Sequence, residues 1–263
     1  MTVTDEAIAR MPRVATIATM PSRIESFQKV LAAIHAQVAH VFIYLDGYAE
    51  VPSFLGGFDR ITVRRAEDVG NLHASSRFLC LQDCRDPVVV VSVDDDIIYP
   101  PDYVERLVQA LQRRQGKAVV GVFGRVFLPP HQSYTSDAAT FHFANALDRD
   151  WHVHELGTGT SAFISSYLPL NPKDWDRNDM DDIIVATEAQ ARGLPRIAVA
   201  RAAGWLRPHS EGQADSLWTK TLADDSEQAR RMRALLSLYS DRQPVRKPAK
   251  RLHGGPQPIR TRA

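Results

Sequence analysis

Val88-Val89-Val90-Val91-Ser92-Val93-Asp94-Asp95-Asp96-Ile97-Ile98-Tyr99-Pro100-Pro101 joins an apolar run to a cluster of acids without any spacer. Five valines and a serine make a short, almost wholly β-branched run, the pattern of a strand buried on both faces. In an open α/β sheet, ligands bind beyond the carboxyl ends of the strands, which is where Asp94, Asp95 and Asp96 fall. Three adjacent carboxylates repel one another and destabilise the chain unless a cation compensates them. Carboxylate oxygens suit hard ions, and Mg2+ or Mn2+ commonly bridges one or two of them to substrate phosphates. The simpler alternative is a surface acidic turn or helix cap, against which the valine strand argues.

On either side of this stretch, strand and helix patterns alternate. Residues 14–19 form a β-branched apolar run ended by Pro21, which reads as a buried strand. Ile24, Phe27, Val30, Leu31 and Ile34 follow at helical spacing, with Ser22 as the expected cap. A second strand is expected over 41–45, stopped by Asp46-Gly47, a short third over 61–63, and a helix over 72–81. Pro100-Pro101 opens another helix with Tyr103, Val104, Leu107, Val108 and Leu111 on one face, followed by a strand at 118–122. The rhythm predicts an α/β fold, a mostly parallel central sheet flanked by helices. Beyond Phe127 the pattern weakens, and up to Pro172 the chain is rich in His, Ser, Thr and aromatics without a clean period. A helix over 181–192 ended by Gly193, a strand over 196–200 and a polar helix bearing Leu235, Leu236 and Leu238 complete the expectation. The chain divides into an N-terminal extension (1–12), a single domain (13–240) and a tail (241–263).

Composition narrows the function classes. Across 263 residues, 32 Lys and Arg against 31 Asp and Glu leave no global field toward nucleic acid or an acidic membrane. The charge is uneven, however. The tail carries Arg242, Arg246, Lys247, Lys250, Arg251, Arg260 and Arg262 with four prolines and no acid after Asp241. Such a stretch cannot bury a core and is expected to be disordered, as a solvated tail or a contact for an anionic partner. Cys80 and Cys84 supply neither a disulfide framework nor a four-ligand zinc site. No apolar run approaches the roughly 20 residues that span a bilayer, and the N-terminus lacks the pattern of a signal peptide. A cytoplasmic protein is expected.

Val93-Asp94-Asp95-Asp96-Ile97-Ile98-Tyr99-Pro100-Pro101-Asp102-Tyr103 closely resembles the DxD segment of GT-A-fold glycosyltransferases, in the family 2-like bacterial group. The resemblance implies a GT-A-like single domain that binds a nucleotide-sugar at the strand C-terminal ends. It implies a metal, Mn2+ or Mg2+, held by Asp96, with Asp94 near the donor ribose and Asp95 assisting. A bound cation would neutralise the charge that develops on a nucleotide-diphosphate leaving group. Other segments follow in the family's order, over about residues 13–209. Thr19, Pro21 and Arg23 stand where the first strand and turn grip the nucleotide, and Asp46 and Asp68 where acids contact the base. Asp46-Gly47 is equally well read as a simple turn. Arg77 stands where a basic residue approaches the phosphates; a surface salt bridge is its alternative.

Gly157-Thr158-Gly159 is similar to the segment that lies against donor sugar and acceptor. Asp179-Met180-Asp181-Asp182 resembles the acidic opening of the catalytic helix, whose second acid is the general base of inverting enzymes. Helix N-termini favour carboxylates in any case; Asp182 is preferred over Asp181, and the choice between the neighbours stays open. His209 lies where relatives place a late metal ligand, although a histidine after proline also serves as a plain loop residue. The resemblance implies transfer of a sugar, UDP-linked by family habit, to a hydroxyl acceptor: a glycan, lipid-linked saccharide, protein or modified nucleic-acid base. Two rivals remain: a nucleotidyltransferase, for which Thr19-Met20-Pro21-Ser22-Arg23 makes a poor phosphate loop, and a non-catalytic nucleotide- or glycan-binding module.

Overall fold

The computed structural model describes residues 4–209 and 221–239. Helix α1 (Asp5–Arg10) precedes strand β1 (Arg13–Thr19), a 3-10 turn over Pro21–Arg23 and helix α2 (Ile24–His35). Strands β2 (His40–Leu45) and β3 (Ile61–Arg65), the one-turn helix α3 (Ala66–Val69) and strand β4 (Val89–Val93) follow. Next come β5 (Ile97–Ile98), α4 (Tyr103–Gln112), β6 (Val119–Gly121), β7 (Gly124–Phe127) and β8 (Ala138–Phe141). Then β9 (Trp151–Val153), β10 (Glu155–Leu156), β11 (Thr160–Ile164) and α5 (Asp181–Ala191). The series ends with β12 (Arg196–Ala198), β13 (Arg207–Pro208) and α6 (Ser226–Ser237).

Eight strands form the main sheet in the order β3-β2-β1-β4-β11-β6-β12-β9. Only β11 and β9 oppose the rest, since β11 runs against β4 and β6, and β9 against β12. The expected mostly parallel sheet is therefore found. β4 is buried along its whole length, and its side chains divide with the strand period of two. Val89, Val91 and Val93 pack in one core with α2 and the α4 face of Tyr103, Val104, Leu107, Val108 and Leu111. Val88 and Val90 pack in a second core with Phe78, Phe163 and Val185. Helices thus cover both faces, each buried valine contributing about 1.5–3 kcal/mol. Ile8 of α1 joins the first core, and a third cluster seats α6 on α5 through Ala229, Met232 and Leu235.

Several local expectations are corrected. Residues 72–81 form 3-10 turns over His73–Gln82 rather than an α-helix; Ser76 and buried Arg77 satisfy local carbonyls with their side chains instead. Ser22 lies within a 3-10 turn, and Arg23 stands at the cap position of α2. The stretch after Phe127, where no period was legible, holds β8 to β11, and β11 sits in the middle of the sheet. Its register pairs Thr160 with Val93, which sets the turn before β11 beside the acids after β4. Among the described residues no helix is long and apolar enough to cross a membrane. The basic tail lies outside the described residues.

Candidate active site

The acids after β4 are fixed by a buried phenol. The Asp94 N–H is shared between the Tyr99 hydroxyl, at 2.8 Å, and the Gly159 carbonyl, at 3.2 Å. The Tyr99 hydroxyl in turn donates to that same carbonyl at 2.5 Å. This closes the end of β4 onto the start of β11. A Cβ at Gly159 would lie 1.8 Å from Asp94 Oδ2, so only glycine lets the carboxylate rest there.

Two arginines answer the triplet. Arg77 is buried and donates from Nη1 to Asp94 Oδ1 at 2.8 Å and to the Val93 carbonyl at 3.3 Å. Arg23 Nη1 lies 2.5 Å from Asp96 Oδ2 and 3.6 Å from Asp95 Oδ1. Burial pushes the Asp95 carboxyl up to about 7, opposed by a Thr19 hydrogen bond and by Arg23. Asp96 is raised as well, by burial first and then by the charge of Asp94, with Arg23 opposing. For both carboxylates the cost of burial outweighs the attraction of Arg23.

His209 reaches the triplet through the backbone. β13 pairs antiparallel with β5, and the His209 N–H donates to the Asp96 carbonyl at 2.7 Å. Its ring Nε2 lies 3.1 Å from Lys29 Nζ. Among the described residues no three His, Cys, Asp or Glu side chains are grouped as a protein-only metal site needs. Asp94, Asp96 and His209 are thus neighbours, but not a closed ligand set.

A second acidic pair opens α5, where the helix dipole favours negative charge. Ser75 Oγ donates to Asp181 Oδ1. Asp182 Oδ1 accepts both the backbone N–H and the hydroxyl of Thr158, each at 2.8 Å. Burial pushes Asp181 up to about 7 despite Arg77 and Ser75, and raises Asp182 despite the two Thr158 bonds. Thr158 lies between Gly157 and Gly159, so the turn that packs on Asp94 also grips Asp182. A single turn couples the two acidic sites.

Asp94 of the triplet and both acids of α5 line one cavity of ≈ 280 Å³, close to the lower end of the range for ligand pockets, while Asp95, Asp96, Arg23 and His209 lie outside its lining. Arg77, Asp94, Thr158, Asp181 and Asp182, all singled out in the sequence, line it. So do Tyr134, Thr221 and Gln228, which sequence reasoning missed. Tyr134 lies in the stretch without periodicity and Gln228 on a polar helix, and neither carries a local signal. Thr19, Pro21 and Asp46 sit apart from this cavity, at the ends of β1 and β2. Thr19 Oγ1 is 3.3 Å from the Tyr48 hydroxyl, Pro21 opens the 3-10 turn, and Asp46 meets His73 Nδ1 at 3.3 Å. Asp68 is exposed on α3.

The family model described as glycosyl transferase family 2 matches residues 23–168, more than half of the chain. No curated protein matches it. Among solved structures, the fold is similar to that of glucosyl-3-phosphoglycerate synthase from Mycobacterium tuberculosis, crystallised with Mn2+, uridine-diphosphate-glucose and phosphoglyceric acid. The likeness has a TM-score of 0.52 at 14% identity and covers 89% of this chain and 83% of that one. At that identity it speaks for the GT-A architecture alone. The family match includes both the valine strand and the acids that follow it, and the chain belongs to glycosyl transferase family 2.

Proposed function

We propose that this glycosyltransferase moves a sugar from a nucleotide diphosphate, UDP in the first instance, to an acceptor hydroxyl with inversion, within a single domain of residues 13–240. The observation that carries the reading is the Gly157-Thr158-Gly159 turn, which joins Asp94 at the end of β4 to Asp182 at the start of α5 in one cavity. The acceptor oxygen attacks the anomeric carbon, the bond from that carbon to the diphosphate oxygen breaks, and the nucleoside diphosphate leaves with the electron pair. The acceptor proton goes to a carboxylate, and Asp182 is assigned that role. Its Oδ1 is held by Thr158, while Oδ2 takes no hydrogen bond among the described residues.

The donor set fits a hard cation. Asp96 and Asp94 offer carboxylate oxygens close enough for the charge of Asp94 to bear on Asp96, and Mg2+ or Mn2+ ordinarily takes its other ligands from water and phosphate. When bound, the ion would neutralise charge on the leaving diphosphate. His209, next to Asp96, is the candidate third ligand. The mycobacterial synthase of similar fold, solved with Mn2+ and UDP-glucose, supports the choice of both. Arg77, behind Asp94, would meet the diphosphate. Thr19, Pro21, Arg23, Asp46 and Asp68, at the ends of β1 to β3, are assigned to the nucleotide.

Asp182→Asn is expected to keep UDP-sugar affinity and to lower transfer by roughly 10²–10⁴-fold, the usual worth of a positioned base. Calorimetry and initial rates separate the two quantities. Full transfer in Asp182→Asn with loss in Asp181→Asn would move the base to the neighbour. Full transfer in both would remove a base from α5 altogether.

A further inference from the structure

Tyr134, Thr221 and Gln228 line the cavity but take no part in the chemistry assigned so far. Tyr134 belongs to the β7–β8 loop and Gln228 to α6, elements remote in sequence that one carboxylate ties together. Asp225 Oδ2 accepts from Ser133 Oγ at 2.7 Å and from the Thr135 N–H and hydroxyl, each at 2.8 Å. α6 itself is seated by Ala229, Met232 and Leu235 in a cluster with Ile183 and Ile184 of α5. Tyr134 is held from two sides. Its hydroxyl donates to Glu155 Oε1 at 2.8 Å, and the Arg125 guanidinium lies 4.6 Å from its ring centre. Glu155 and Arg125 stand opposite one another in the β10–β7 register. This is a rigid wall, with a supporting shell of the kind that holds a binding group in place.

The polar groups on that wall are selective in a definite sense. Gln228 donates from Nε2 to Thr221 Oγ1 at 3.2 Å, and its carboxamide is able both to donate and to accept. Among the described residues that line the cavity, Arg77 is the one cation, and Asp94 already engages it at 2.8 Å. The acids around the wall are Asp179, Asp181 and Asp182; the first is paired at 2.9 and 2.5 Å with Arg177, which is not part of the lining. Arg77 is committed to Asp94 and to the donor's diphosphate, so a phosphate or carboxylate on the acceptor would meet like charge with no further cation to receive it among the described lining residues. Hydroxyl groups would donate to the carboxylates and pair with the carboxamide in either direction.

The geometry points to an acceptor subsite formed by Tyr134, Thr221 and Gln228 that takes an uncharged polyhydroxylated molecule, a sugar or polyol, and rejects anionic acceptors. The inference rests on the cavity being the site of sugar transfer. Thr221 and Gln228 lie beyond the matched residues 23–168, so the selectivity belongs to this chain's own C-terminal segment.

The test gives the full-length enzyme UDP-glucose, UDP-galactose or UDP-N-acetylglucosamine with two acceptor pairs. The pairs are methyl glucoside against methyl glucuronide, and glycerol against glycerol 3-phosphate. The neutral member should lead in kcat/KM by at least about tenfold in each pair, as like-charge exclusion predicts. Gln228→Lys should shrink that lead through the acceptor KM rather than kcat. Equal values within the pairs, no reaction with any probe, or a lead for the charged members overturns the subsite. A neutral preference that Gln228→Lys leaves untouched overturns it as well. UDP release followed without acceptor reads the other question: if no UDP-sugar is turned over under any condition, sugar transfer itself falls.

Discussion

Glu155 is fully buried, and desolvation pushes its carboxyl up to about 8 against the pull of Arg125. One oxygen accepts the Tyr134 hydroxyl, and the other has no hydrogen-bond partner among the described residues. Because the folded value lies above the unfolded one of 4.5, the contribution to stability is complete below 4.5 and is lost as pH rises through about 8. Glu155→Gln keeps an oxygen for Tyr134 and removes the titration. The variant should match the wild type in acid and exceed it by a growing margin toward alkaline pH, on the order of a few kcal/mol at the limit. Melting curves of both proteins across that range check this, and a constant difference at every pH would contradict it. No sequence pattern announces Glu155, because its burial depends on the pairing of β10 with β7. The acids Asp94 to Asp96 were legible because the strand before them fixes where they emerge. Asp181 and Asp182 were legible as a pair, but which one faces an acceptor depends on Thr158 and Ser75, far away in sequence.

At the scale of elements, the junction between β4 and β11 decides the site. Tyr99 joins the two strand ends through the Asp94 N–H and the Gly159 carbonyl, and it is buried. Tyr99→Phe leaves the ring in place and removes the bridge, which should destabilise the protein by about 1–3 kcal/mol. Transfer should fall too, since the Asp94 N–H keeps only its longer bond, to the Gly159 carbonyl at 3.2 Å. Urea unfolding and initial rates measure the two effects, and an unchanged midpoint in urea would dismiss the bridge. The strongly apolar elements, β1, β4, α2 and α4, followed directly from their residues, as their burial pattern is the pattern of those residues. β8 to β11 did not, because β8 to β10 are only two to four residues long and all four are stabilised by neighbours from distant parts of the chain. The 3-10 segment over His73–Gln82 was expected as an α-helix because Leu72, Phe78, Leu79 and Leu81 mimic helical spacing.

At the scale of the molecule, the parallel half of the sheet delivers β1 to β4 to one edge, and the C-terminal helices close the cavity beside it. The composition of residues 241–263 suits either a solvated tail or a contact for an anionic partner, and truncation separates the two. A chain ended after Asp241 should turn over UDP-sugar as the full chain does, and should lose salt-sensitive binding to anionic vesicles and to DNA. Salt weakens such contacts because exposed charges are screened beyond about 10 Å at 0.1 M. Equal binding by both chains at low and high salt would reject a role for the tail. The central claim, a nucleotide-sugar held at the acids after β4, is tested most directly by thermal unfolding with UDP-sugars, with and without Mn2+, for the wild type and Asp96→Ala. A donor at a hundred times its Kd should stabilise the wild type by about 2.7 kcal/mol, in the presence of Mn2+ and not in its absence, and should leave Asp96→Ala unmoved. Stabilisation by no UDP-sugar, or the same stabilisation in Asp96→Ala without metal, would contradict the account.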